Sequence, residues 1–381
     1  MEKIMSTEAL SVKKEVSARY AEGAKERQEA LCCPVDYDTS LLKILPQEII
    51  ERDYGCGDPS RYVREGDTVL DLGSGGGKIC YMAAQIVGEQ GHVIGVDMTD
   101  DMLALARQYQ PEMADKLGGD RVDFRKGYIQ DLALSVEAME NYLAESPVTN
   151  ATSLQALEDW KKQQRSTAPL VDSESVDLVV SNCVLNLVAQ EDRVQMLAEI
   201  FRVLKPGGRV AISDIVCDEL VPQHLQNDPH LWSGCISGAF QEKEFIDAFL
   251  DAGFVGVGYD KWEADPWQVV EGIEFRSVTL TATKPAKTGL IDAGQAILYR
   301  GPFSVVADDL GNTFVRGERT AVSKRTYELL TSGDYADHFI GMQPATDINN
   351  GCFSKPAGTV RPASETKGGS HAGGGQEGGC C

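Results

Sequence analysis

The sequence predicts an α/β protein built on a mainly parallel sheet with helices on both faces. Three observations carry that prediction. From residue 67 short apolar runs alternate with helical stretches, a glycine-rich turn follows the first run, and an acidic residue closes the second.

Residues 7–30 hold helix formers with many charges and read as a solvated amino-terminal helix. LCCPVDYD follows as a loop, because Pro34 and the aspartates break the helix. LLKILPQEIIERDYGCGDPSRY is a short helical stretch that ends in a Gly-Cys-Gly-Asp-Pro turn. DTVLDLG is then the first strand, KICYMAAQIVG a helix, GHVIGVD the second strand and DDMLALARQYQ a helix. VDFRKG and VDLVVSN are the third and fourth strands, RVQMLAEIFRVL a helix and GRVAISDI the fifth strand. KEFIDAFLDAGF adds a helix and RSVTLTATKP a late strand. Residues 134–172 interrupt this order with a long, polar, partly helical insertion, either a lid or, as preferred here, a surface excursion. The expected organisation is a helical cap with a cysteine loop over 1–60 and a main domain over 61–285. A small mixed carboxy-terminal domain over 286–350 and a disordered, glycine-rich tail over 351–381 complete it.

No apolar run approaches the ~18 residues of a membrane span, and MEKIMSTEALSVKKEV lacks the apolar core of a signal peptide. A cytoplasmic protein is expected. The net charge of -22, with no offsetting Lys/Arg cluster, argues against nucleic acid and anionic membranes as partners. The 10 cysteines in so long a chain point to metal, metalloid or redox chemistry rather than a disulfide framework. Cys80 and Cys217 sit in apolar segments and read as buried small hydrophobes. No Cys-x-x-Cys knuckle supports zinc.

VLDLGSGGGKICY sets Asp71, Gly73, Ser74 and Gly75 at the end of the first strand, before a helix. Glycines there allow a tight turn and close backbone approach to a ligand, and the helix offers free N–H groups. GVDMT ends the second strand at Asp97, a residue suited to a ribose with two free hydroxyls. These two stretches, with FRVLKPGGRVAISD later, resemble the S-adenosylmethionine site of class I methyltransferases over about residues 60–285. The resemblance implies a Rossmann-like class I methyltransferase fold with a mainly parallel, seven-stranded sheet.

Four cysteine-bearing stretches narrow the resemblance: LCCP at 31–34, YGCG at 54–57, SNCVLNL at 181–187 and LWSGCISGA at 231–239. With GHVIGVDMT, KGYIQDL, NGCFS and the GGCC ending, they resemble the arsenite methyltransferases, which methylate trivalent arsenic from S-adenosylmethionine. The chemistry fits the residue types. Soft As(III) prefers thiolates, and three sulfurs leave its lone pair free to attack a methyl held in line.

The resemblance implies that Cys56, Cys183 and Cys235 hold As(III). It implies that an amino-terminal cysteine joins them in catalysis by returning two electrons through a disulfide with Cys56. Cys33 is preferred for that role because Pro34 fixes the backbone after it, with Cys32 as the alternative. The cofactor residues it implies are Tyr54, Asp71, Gly73, Ser74, Gly75, Asp97, Met98, Tyr128, Ile129 and Asn182. Among these, Tyr54 would face the sulfonium, and Met98, Tyr128 and Ile129 the adenine. No metal cofactor, no membrane partner, a monomer, a thiol-conjugated arsenical substrate and thioredoxin or glutathione as reductant are expected. Two rivals remain: a methyltransferase for another small molecule, and a metalloid-binding protein without turnover.

Overall fold

β1 (Thr68–Leu72) explains why helices must lie on both faces of the sheet. Val69 joins one buried cluster, with Met82 and Leu103, while Leu70 and Leu72 join another, with Ile200 and Phe245. Successive side chains point to opposite faces, so a strand with buried apolar residues on both faces, Val69 on one and Leu70 and Leu72 on the other, needs cover on both. Its edges are covered too, by β2 (His92–Asp97) on one side and β4 (Val176–Asn182) on the other, both parallel.

The computed structural model describes residues 16–26, 35–52, 54–228, 231, 234–287, 290–332, 335–345 and 351–366. The chain divides into two compact units, 1–284 and 285–381. In the first, the remaining strands are β3 (Val122–Lys126), β5 (Leu204–Cys217), β6 (Phe240–Gln241), β7 (Val255–Trp262), β8 (Gln268–Val270) and β9 (Ile273–Thr283). They give the sheet order β3-β2-β1-β4-β5-β9-β7, with β6 beside β5 and β8 beside β9. β9 runs antiparallel to β5 and β7, and every pairing from β3 to β6 is parallel. The expected seven-stranded, mainly parallel path is therefore present, with two short additions. Helices Lys78–Ile86, Asp100–Leu117, Arg193–Val203 and Glu242–Asp251 cover the faces; Phe245 and Phe249, one turn apart, are fully buried. β7, which the sequence reading passed over, is a half-exposed edge strand whose Gly, Tyr, Asp and Lys residues carry no apolar run.

The 134–172 insertion holds helices Val136–Glu145 and Ala151–Thr167, the second without a buried residue. Arg165 anchors it by a forked pair to Asp131, at 2.7 and 3.2 Å. In the second unit, strands Arg319–Ala321, Ala296–Tyr299 and Phe339–Met342 form a sheet over Phe314, Val322 and Leu330. Residues 351–366, read from composition as the start of a disordered tail, instead belong to this unit. Gly351–Cys352 pairs with Ile291–Asp292, and the buried Arg361 meets Asp292 at 2.6 Å. Local composition concealed this, because a single buried ion pair and two short pairings do the ordering. Among the described residues no helix is long and apolar enough to cross a membrane.

Candidate active site

The carboxyl tips of β1 and β2 build the first half of the site. Gly73 has φ +71°, and a Cβ there would lie 2.5 Å from Val184, so only glycine fits. The N–H groups of Gly73 and Ser74 donate to Val96 O at 2.8 and 3.1 Å, which ties the glycine turn to β2. Asp97 at the tip of β2 accepts from Gly75 N at 2.9 Å and from Thr99 N at 2.8 Å. Enclosure in the cleft pushes its carboxyl above the ordinary range, against the pull of these donors. Ser74 Oγ is buried with no hydrogen-bond partner among the described residues.

A cleft opens here. It brings together Tyr54, Gly73, Gly75, Asp97, Met98, Tyr128, Ile129 and Asn182 of the expected cofactor set. Asp71 and Ser74 lie buried beside it, and Asp71 Oδ2 accepts the Cys80 thiol at 3.3 Å. A tight glycine turn, an orphaned Ser74 hydroxyl and an acidic strand tip form a donor and acceptor set that fits the ribose and amino acid ends of S-adenosylmethionine.

The tips of β4 and β5 carry the sulfur end. Cys183, just past β4, lines the cleft and is joined by a disulfide to Cys56, with Cα atoms 5.9 Å apart. Asn182 holds the two loops together: its Oδ1 accepts from Cys56 N at 2.9 Å and Gly57 N at 3.0 Å, and its Nδ2 donates to Gly57 O at 2.8 Å. A Cβ on Gly55 would come within 2.1 Å of that amide, which explains the glycine before Cys56. Cys235 is buried, and its Sγ donates to Cys183 O at 3.4 Å. Cys183 and Cys235 both have left-handed backbones, φ 60° and 62°, which cost a non-glycine residue roughly 1–2 kcal/mol each. Such conformations persist where the surroundings over-determine them.

Two residues that the sequence reading did not single out supply those surroundings. Asp214, fully buried on β5, accepts from Leu185 N, Asn186 N, Asn186 Nδ2 and Ile215 N at 2.8–3.3 Å. Burial pushes its carboxyl up to about 7. Arg193 donates to Val188 O and Gly238 O, bracing the segment after Cys183 against the segment after Cys235. The Cys56 and Cys183 sulfurs and an Asp214 carboxylate oxygen all lie within 4.8 Å of one another. The third group inside that radius is thus Asp214, with Cys235 reaching the Cys183 backbone instead. A polar strand tip in VAISD is the signal that could have marked Asp214.

The described part of the expected amino-terminal helix is not solvated throughout, and residues 7–15 and 27–30 lie outside the described residues. Residues 16–23 are helical, Val16 and Ala24 are buried, and Val16 and Tyr20 line the cleft. The spacing 16, 20, 24 is a helical stripe hidden among charges. Cys80 and Cys217 are core residues as expected, and burial pushes the Cys217 thiol up to about 12. Cys32, Cys33 and the Cys380–Cys381 pair lie outside the described residues.

A sheet of this order, with a glycine turn after β1 and an acidic tip on β2, defines a class I S-adenosylmethionine-dependent methyltransferase. The family model described as a methyltransferase domain matches residues 64–142 and 150–253, and a domain of unknown function (DUF8838) matches 286–371. The chain belongs to the arsenite methyltransferases. It is 30% identical over 339 residues to the arsenite methyltransferase of Aquipseudomonas alcaligenes, spanning 84% of this chain and 86% of that one. It is 31% identical over 313 residues to that of Homo sapiens, spanning 78% and 73%. The crystal structure of an arsenic(III) S-adenosylmethionine methyltransferase from Chlamydomonas reinhardtii superposes with a TM-score of 0.53 at 27% identity, covering 84% of this chain and all of that one.

Proposed function

We propose that the chain methylates thiolate-bound As(III), with Cys56, Cys183 and Cys235 as its ligands, and that thioredoxin or glutathione supplies the reducing equivalents. The observation that carries the reading is the meeting of Cys56 and Cys183 at the wall of the cofactor cleft. Two thiols that can close to a disulfide can also share one arsenic atom, and Cys235 stands one backbone away as the third. S-adenosylmethionine supplies an electrophilic methyl group, which the arsenic lone pair takes as the sulfonium carbon–sulfur bond breaks. Arsenic is thereby oxidised from three to five. Attack of the amino-terminal thiolate, from Cys33 or Cys32, on the arsenic-bound Cys56 sulfur forms a disulfide and leaves the As–S bonding pair on arsenic, which returns to three, and two electrons from an external dithiol reopen the disulfide.

Asn182, Asp214 and Arg193 hold the sulfur loops in register, and Asp97 with the glycine turn holds the ribose end. The scheme needs no resident metal. An amino-terminal cysteine, Cys33 or Cys32, serves the reductive step, and the cellular role is arsenic detoxification by a cytoplasmic monomer. The cap over 1–60 and the main domain over 61–285 carry this work, and a small carboxy-terminal domain over 286–350 follows them.

The test is a turnover assay with arsenite, S-adenosylmethionine and a dithiol, with arsenic speciation of the products. Methylated arsenicals from the native chain, and none from Cys183→Ser or Cys235→Ser, are expected, because a hydroxyl is too hard and too weakly acidic to replace a thiolate. Arsenite binding without any methylated product would instead favour a binding protein.

A further inference from the structure

The amino-terminal helix lays one side against the cleft. Tyr20 packs on the apolar cluster that contains Cys183 and Cys235, as does Met98. Tyr54 comes from a different chain segment, and its hydroxyl donates to Gly23 O at 3.1 Å, which pins the end of the helix. The two rings meet edge to face, with centroids 6.3 Å apart and planes at 73°. Both line the cleft, together with Asp97 on the ribose side and Cys183 on the sulfur side. Burial, and then the negative charges of Cys235, Asp214 and Asp97, raise the Tyr20 hydroxyl well above its usual value, with Arg19 opposing. The side chain therefore offers a neutral ring under any working condition. A methyl donor that extends from Asp97 to the cysteines carries its positive charge past these rings.

Resting on the methyltransferase reading above, we propose that Tyr20 is a specificity-determining residue, whose ring, with that of Tyr54, favours the cationic methyl donor over its neutral demethylated product. An aromatic face attracts a cation through its quadrupole, most strongly where water is excluded. S-adenosylhomocysteine keeps the ribose, adenine and amino acid groups of the donor and lacks only the charged methyl centre. It therefore isolates this one interaction. The same preference would help the product leave after each transfer.

Calorimetry on the full chain, with S-adenosylmethionine and S-adenosylhomocysteine as the two ligands, tests the proposal. Tyr20→Leu should weaken the donor about tenfold while changing the product less than about twofold. Tyr20→Phe should keep the native ratio, because it keeps the ring. Replacing Tyr20 with a ring-trifluorinated phenylalanine keeps the shape but weakens the negative ring face, so it should behave like Tyr20→Leu. Equal weakening of both ligands in the fluorinated protein, or an unchanged ratio, would overturn the proposal in favour of simple packing. A native chain that bound neither ligand would overturn the cofactor reading itself, together with this one.

Discussion

Asn182→Ala should detach Cys56 from the tip of β4. The native amide makes four hydrogen bonds, to Cys56 N, Gly57 N, Gly57 O and the Tyr37 hydroxyl. Truncation leaves three backbone groups of one buried loop without their partner, at about 1–3 kcal/mol for each group left unsatisfied. Water entering the vacated space relieves part of that, so a destabilisation of about 3–5 kcal/mol is expected. If about 3 kcal/mol of it falls on loop docking, the population with Cys56 against Cys183 drops roughly 100-fold. The assay reduces the protein, adds oxidised glutathione and follows the Cys56–Cys183 disulfide by peptide mass spectrometry, alongside urea unfolding. Asn182→Asp keeps an acceptor for the two N–H groups and should lose less. Closure of the disulfide at the native rate in Asn182→Ala, with an unchanged urea midpoint, would refute the account of Asn182 as the clamp.

Asp97→Ala should weaken S-adenosylmethionine about ten- to a hundred-fold in calorimetry, from a lost charge-assisted bond of about 1.5–3 kcal/mol, and leave arsenite binding intact. Asp214 gives a pH signature. Its folded carboxyl at about 7 lies above an unfolded value of about 3.9, so the folded state binds the extra proton. That stabilisation is fully present below about pH 4 and is lost as pH rises through 7, at most about 4 kcal/mol. Urea midpoints between pH 4 and 8 should therefore fall less steeply in Asp214→Asn than in the native chain, and parallel slopes would count against it. Cys56→Ser should lose turnover of arsenite yet keep some with methylarsenite, which has one arsenic position filled by carbon and needs only two sulfurs. Equal loss of both substrates would make Cys56 a structural residue.

The sheet, and the glycine turn with the acidic strand tip beside it, were legible in the sequence because both are local. Uninterrupted apolar runs demand cover on two faces, and DLGSGGG followed by VDMT places a tight turn and an acidic tip on adjacent parallel strands. The sequence also named Cys56, Cys183 and Cys235, through short motifs whose cysteines the folded chain then gathers from three loops. Which groups meet is set by long-range packing. Cys56 and Cys183 are 127 residues apart in sequence, and no local pattern could show them bonded to each other with Asp214 beside them. The left-handed backbones of Cys183 and Cys235 have no sequence signature either, and the segments that follow these cysteines are held by Asp214 and Arg193 from other elements. Val16 and Tyr20 were masked by the charges around them, and Arg361 by the glycines and serines around it. Periodicity reports how much of an element is buried, and a single aromatic or ion pair that decides where a segment docks leaves that average almost unchanged.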